Sequence, residues 1–171
     1  MRSTRDDAWM RSLFAQHADE IRAYCVRRTD SHAADDLVSE VFTLAWRNRS
    51  KVPDEARVWL YATARNVVLH AQRSHTRRLR LVTEAGAVAD GRNHSAESAS
   101  RALAESLLSD LPEADAEVLR LAVWEQLTSA EIAQVLEVGD DVVRARLSRA
   151  RRRARALVAD LNSPESERSA K

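Results

Sequence analysis

Residues 128–155 read TSAEIAQVLEVGDDVVRARLSRARRRAR, and this stretch decides the fold. Thr128 and Glu131 stand three apart ahead of an apolar run. That is the spacing of a capping box, in which hydroxyl and carboxylate satisfy each other's orphan backbone donors. The short helix they open is predicted to run through Leu136. Residues 137–139 then form a tight turn, and Asp140 or Asp141 begins the next helix, where a carboxylate favours the positive helix end. Val143, Leu147, Ala150, Ala154, Leu157 and Leu161 recur at alternating steps of four and three, an apolar stripe of helical period. Two helices joined by a three- or four-residue turn containing Gly make a helix-turn-helix. The second helix carries seven arginines within residues 144–155. At 100° per residue, Arg146, Arg149 and Arg153 are expected together opposite the stripe, with Arg152 beside them. Such a helix suits a major groove, where guanidinium groups grip phosphates and pair bidentately with guanine. A solvated face is the plain alternative, but seven like charges without partners repel one another and favour a polyanion.

Working outward, Pro112 fits the first turn of a helix reaching about Gln126, with a short helix near 102–108 before it. Residues 83–100 are small and polar and hold two of the three glycines. They read as a linker, able to span at most roughly 60 Å. Upstream, Met10, Leu13, Phe14, His17, Ile21, Tyr24 and Cys25 place a helix over 8–28. Asp30 or Ser31 caps a second helix that runs to about Asn48, with Ala34, Leu37, Val38, Val41, Phe42 and Ala45 on one face. Residues 48–55 form a loop, and Trp59, Leu60, Thr63, Val67 and Ala71 mark a third helix over 56–78. Strand-type alternation is absent. The expectation is an all-α chain of two small helical domains, 1–80 and 102–162, joined by a flexible linker at 81–101 and followed by a polar tail at 163–171.

The 171 residues include three Gly and three Pro, with 44% apolar and 31% charged side chains. This excludes collagen-like, low-complexity and turn-dense all-β architectures. No apolar run approaches the roughly 20 residues of a membrane span, so no membrane insertion is expected. The opening MRSTRDDAWM lacks a signal-peptide apolar stretch, which predicts a cytoplasmic protein. A single cysteine, Cys25, rules out an intramolecular disulfide and argues against a cysteine-based zinc site. The net charge of +1 conceals strong segregation: +5 over residues 1–80, −1 over 81–103, −9 over 104–143 and +6 over 144–171. Basic surfaces suit nucleic acid, whereas the acidic block repels it. Arg supplies 25 of the 27 basic residues, a bias that a high-GC genome also produces.

A second basic run, Arg73, Arg77, Arg78 and Arg80, follows Arg65-Asn66 on the helix that carries Trp59 and Tyr61. Aromatics beside cations suit single-stranded or melted nucleic acid. The plain alternatives are core packing for Trp59 and a favourable helix C-terminus for the arginines. Asp35, Asp36 and Glu40 make the second helix acidic, with Asp36 and Glu40 on one face. A divalent-metal nuclease site is one reading, but no second ligand cluster supports it, and a solvated or partner-binding face fits better. The five histidines show no metal-ligand spacing. No metal, cofactor or catalytic residue is therefore expected, and neither a Gly-rich phosphate loop nor a nucleophile elbow is present.

Three motifs together resemble the extracytoplasmic-function (ECF, group IV) sigma factors of bacterial RNA polymerase. Residues 34–46, ADDLVSEVFTLAW, are similar to the region 2.2 pattern AEDLxQExFxxxW. Residues 59–66, WLYATARN, resemble the WLxxIARN of region 2.3. Leu111-Pro112, Glu117-Val118-Leu119, Ser129 to Ala133 and Val143 to Arg151 follow region 4, LPxxxREVLxLxxxxGLSxxEIAxxLGxxxGTVKSRLxRAR. The resemblance covers most of residues 10–158 in the family's order.

It implies a promoter-recognition subunit with no enzymatic activity of its own. Asp36, Leu37, Glu40, Val41 and Phe42 would dock on the clamp helices of the core polymerase's largest subunit, though the apolar three fit the domain's own core equally. Asn66, with Arg65, would contact a flipped non-template base of the minus-ten element, and Arg73, Arg77 and Arg78 would hold its backbone. Arg144, Ser148, Arg149, Arg151 and Arg152 would face the minus-thirty-five element. The acidic block would meet the polymerase flap, and an anti-sigma factor would regulate the whole. His70, Ser39, Glu137 and Asp141 depart from the pattern. Two rival functions are a stand-alone helix-turn-helix regulator acting without polymerase and, more remotely, the metal-dependent nuclease.

Overall fold

The computed structural model describes residues 5–29, 31–82, 105–106 and 108–162, and it divides the chain into two compact units. Among these residues all regular structure is helical. Asp30, residues 83–104 (which take in most of the expected linker and the start of the short helix) and the tail from 163 lie outside the described residues.

The first unit is built from α1 (Asp7–Val26), α2 (Ser31–Arg47) and α3 (Ala56–Val82), each packed against the other two. Asp6 caps α1: one carboxylate oxygen accepts from the backbone N–H of Ala8 and Trp9, both at 3.1 Å. The apolar periodicity of each helix turns inward. Leu13, Ile21, Tyr24 and Cys25 of α1, Ala34, Val38 and Ala45 of α2, and Leu60, Ala64 and Val67 of α3 are all buried. The alanines let the helix backbones approach closely, and the aromatics fill the rest. Tyr24 meets Tyr61 edge-on at 5.6 Å between ring centroids, and Phe14 meets Phe42 at 4.8 Å. Each such pair adds about 0.5–1.5 kcal/mol beyond its burial.

The second unit contains helical residues at 105–106 and 108–109, α4 (Glu113–Val123), α5 (Ser129–Leu136) and α6 (Asp140–Asn162). Pro112 stands at the N-cap of α4. The capping box ahead of α5 is formed. Glu131 accepts from the Thr128 backbone N–H at 2.7 Å, and the Thr128 hydroxyl accepts from the Glu131 N–H at 3.3 Å. α4 packs on α6, with Ala116 and Ala150 both fully buried in a cluster shared with Leu108 and Leu111. Leu119, Trp124 and Leu157 flank it. In the turn before α6 the Asp141 carboxylate lies over Gly139, in the space a Cβ would take.

Candidate nucleic-acid interface

On α3, residues 66, 73 and 77 fall within about 40° of one another around the axis. They form one stripe about 16 Å long. Asn66, Arg73 and Arg77 are all exposed there, with His70 between them. Arg65 and Arg78 lie off this line, Arg65 half-buried and Arg78 exposed. None of Asn66, Arg73, Arg77 or Arg78 makes a hydrogen bond or ion pair among the described residues, so their donors are open to a ligand. Trp59, half-buried, shares the stripe one turn before Thr63, whose hydroxyl donates to the Trp59 carbonyl at 2.8 Å. An amide, three cations and a part-exposed indole along one helix suit an unstacked strand.

The opposite side of α3 is tied down. Glu20 of α1 accepts from Arg57 Nε at 3.0 Å and from the Tyr61 hydroxyl at 3.1 Å, and its other oxygen lies 2.5 Å from His17 Nδ1. Partial burial pushes the Glu20 carboxyl up, but hydrogen bonds from His17, Arg57 and Tyr61, with the Arg57 charge, outweigh it and hold the group below its ordinary 4.5.

The acidic helix α2 divides. Asp36 and Glu40 are exposed on one face, whereas Asp35 accepts from Arg22 Nε at 2.7 Å. Leu37, Val41 and Phe42, the apolar three of the five residues expected to dock, lie in the core of the first unit. They retain 7%, 0% and 3% exposure, because packing between α1 and α3 turns that side of the helix inward. No group of three or more His, Cys, Asp and Glu side chains among the described residues is placed to hold a metal ion.

On α6 the arginines fall into two sets. Arg149 and Arg153 do not lie opposite the apolar stripe but on its flank, facing α4. Arg149 donates to Asp115 through Nε at 3.3 Å and Nη2 at 3.2 Å, and Arg153 Nη1 stands 3.5 Å from the same carboxylate. Arg144 pairs with Asp140 one turn back at 3.2 Å. Ser148, Arg151 and Arg152 are exposed on the remaining surface and make no such contacts among the described residues. Asp115 is a site residue that the sequence reading missed. Its one signal is position: Leu111, Asp115 and Val118 stand at i, i+4 and i+7, which puts a carboxylate on a buried helix face.

The sigma-70 region 2 family model matches residues 13–78, and the sigma-70 region 4 model matches residues 101–153. Together they cover well over half of the chain. The chain belongs to the sigma-70 family. Among curated proteins it is similar to the ECF RNA polymerase sigma factor SigL of Mycobacterium tuberculosis. The two are 29% identical over 162 residues, which span 90% of this chain and 91% of that protein. Among solved structures, the sigma factor RpoE from Bartonella quintana, in complex with the anti-sigma factor NepR, superposes with a TM-score of 0.67 at 18% identity. That match covers 87% of this chain and 96% of that one. CnrH, solved with the cytosolic domain of CnrY, gives 0.68 at 23% identity, covering 92% of each chain. These likenesses establish the all-helical ECF sigma fold. The α3 stripe lies within the region 2 match, and Arg144 to Arg152 lie within the region 4 match. No described helix is long and apolar enough to cross a membrane.

Proposed function

We propose that this sigma-70-family chain is an ECF sigma factor that binds core RNA polymerase and directs initiation at a restricted promoter set. Residues 1–80 bind the core enzyme and read and melt the minus-ten element. Residues 81–101 connect, and residues 102–162 read the minus-thirty-five element. The observation that carries this reading is the presence in one chain, in the family's order, of two helical units that each present an exposed arginine-bearing helix face.

In this reading Asn66 receives a flipped non-template base, assisted by Arg65, because an amide matches base edges and extrusion needs a receiving group. Arg73, Arg77 and Arg78 hold the backbone beside it. Arg144, Ser148, Arg149, Arg151 and Arg152 face the upstream duplex. Asp36 and Glu40 meet the clamp helices of the polymerase's largest subunit, and the acidic α4 region meets the flap. The protein works in the cytoplasm, supplies no catalytic group of its own, and is held inactive by an anti-sigma factor. Support for that last partner comes from the RpoE relative, which was solved bound to one.

Transcription in vitro tests the whole reading. Purified core polymerase, this protein and fragmented DNA from its own genome are combined, and transcript 5′ ends are sequenced. Discrete starts that depend on the protein are expected, preceded by two shared sequence elements. Absence of new starts, with the same polymerase active under another sigma factor, overturns the reading in favour of a regulator that acts without polymerase.

A further inference from the structure

We infer that Asp115 is a positioning residue for promoter reading: it clamps Arg149 and Arg153 so that α6 presents rigid rather than swinging guanidinium groups to DNA. The inference rests on the proposal that α6 meets the upstream element. The Asp115 side chain is 5% exposed in the first turn of α4, where a carboxylate without partners is costly. Arg149 answers it with a two-point fork, Nε to Oδ2 and Nη2 to Oδ1, and Arg153 adds a third contact. A fork of this kind fixes the plane of the guanidinium as well as its place. Yet both arginine side chains stay about half exposed, at 45% and 47%, so the N–H groups not used on Asp115 face outward.

Arg151, Arg152 and Arg155 differ. They are exposed and carry no ion pair among the described residues. A swinging arginine attracts any phosphate, whereas base-edge reading requires donors held at a fixed place. Asp115 therefore has two effects of opposite sign. It orders the cations that can discriminate between bases, and it subtracts one negative charge's worth of attraction to DNA of any sequence.

The test uses polymerase reconstituted with the full chain, on a promoter taken from the transcription experiment with about six upstream base pairs randomised. Transcripts are counted by upstream sequence at several salt concentrations. Asp115→Asn keeps the shape and removes the charge. Its total output at low salt is expected to equal or exceed that of the unsubstituted chain, with a salt slope steeper by about one. Its base preference at one or two positions is expected to fall about tenfold, the loss of one bidentate base contact. Retained base preference overturns the inference. So does an equal loss of output at every sequence with an unchanged salt slope, which marks a simple structural prop. If Asp115→Asn fails to fold, Arg149→Lys carries the test. It keeps the charge and cannot fork, so discrimination should fall with the salt slope unchanged, and retained discrimination overturns the inference. Failure of the unsubstituted chain to start any transcript is a separate result, which overturns the sigma-factor reading and this inference with it.

Discussion

In each unit a carboxylate reaches from one helix to grip two residues of another, but the two clasps grip different things. In the first unit, Glu20 on α1 holds Arg57 and Tyr61 on α3. Those residues lie on the far side of α3 from Asn66, Arg73 and Arg77, roughly half a turn around the axis. In the second unit, Asp115 on α4 holds Arg149 and Arg153, which belong to the basic face of α6 itself. Fastening and presentation are therefore separable on α3 and are the same residues on α6. Substitutions in the first unit should divide cleanly into those that unfold and those that impair DNA handling. In the second unit the two effects should coincide.

The strongest break of the first clasp is Glu20→Ala. It removes charge-assisted hydrogen bonds from a partly buried site and takes an acceptor from the hydroxyl of Tyr61, a residue only 1% exposed. The expected cost is about 2–3 kcal/mol, read as a lower melting temperature in calorimetry. Below that melt, promoter opening by the reconstituted polymerase should persist, because the α3 stripe is untouched. Loss of opening in a folded variant would show that the two sides of α3 are coupled. The same carboxylate makes the clasp sensitive to acid. Its folded pKa lies below the ordinary 4.5, so its contribution is complete above that value and is lost as pH falls through the lowered one. A plot of stability against pH should flatten at its acid end in Glu20→Gln, and an unaltered acid limb would remove Glu20 as a contributor.

Asn66→Ala is the complementary break, with function lost and the fold retained. The side chain is exposed and its amide makes no contact among the described residues, so stability should change by no more than about 0.5 kcal/mol. Promoter opening should weaken by about 1–2 kcal/mol, the scale of one base-edge contact, while affinity for core polymerase stays unchanged. Normal opening would take Asn66 out of the base-reading role.

What the sequence disclosed follows the range over which each feature is determined. The capping box at Thr128 and Glu131, Pro112 at the start of α4 and the stripe of Val143, Leu147 and Ala150 are local, and the structure bears out all three. The two clasps are not local. Asp115 meets Arg149 across 34 positions and Glu20 meets Tyr61 across 41, and no periodicity links such pairs. Leu37, Val41 and Phe42 had two readings because a core residue and a docking residue look alike along a helix; burial is decided by α1 and α3. The placement of Arg149 opposite the apolar stripe erred through geometry. That residue lies about 120° from Val143, a flank rather than the far side, and α4 packs against that flank.

The smallest effect separates strain from function in the helix-turn-helix. Gln126 has φ 53° and Glu137 has φ 55°, the left-handed region that glycine enters without steric cost. At Glu137 the cause is visible: the Val138 N–H reaches back to the Ala133 carbonyl at 3.0 Å, the six-to-one bond that ends a helix in a Schellman motif with its C′ residue left-handed. Gln126 lies two residues beyond Trp124, the C-cap of α4, and there the Leu127 N–H bonds the Leu121 carbonyl at 3.2 Å, a loop one residue wider than the Schellman bond at Glu137. Both positions carry glycine in the family pattern. Neither side chain touches the clasp at Asp115, so replacing each with Gly should relieve strain without altering promoter choice. Gln126→Gly and Glu137→Gly are each expected to stabilise the second unit by about 0.5–1 kcal/mol, measured by thermal or urea unfolding. Base preference in the randomised-promoter experiment should stay fixed. A stabilised variant whose base preference also shifts would mean that the turn geometry sets the presentation of α6, and that Asp115 shares this task with the backbone.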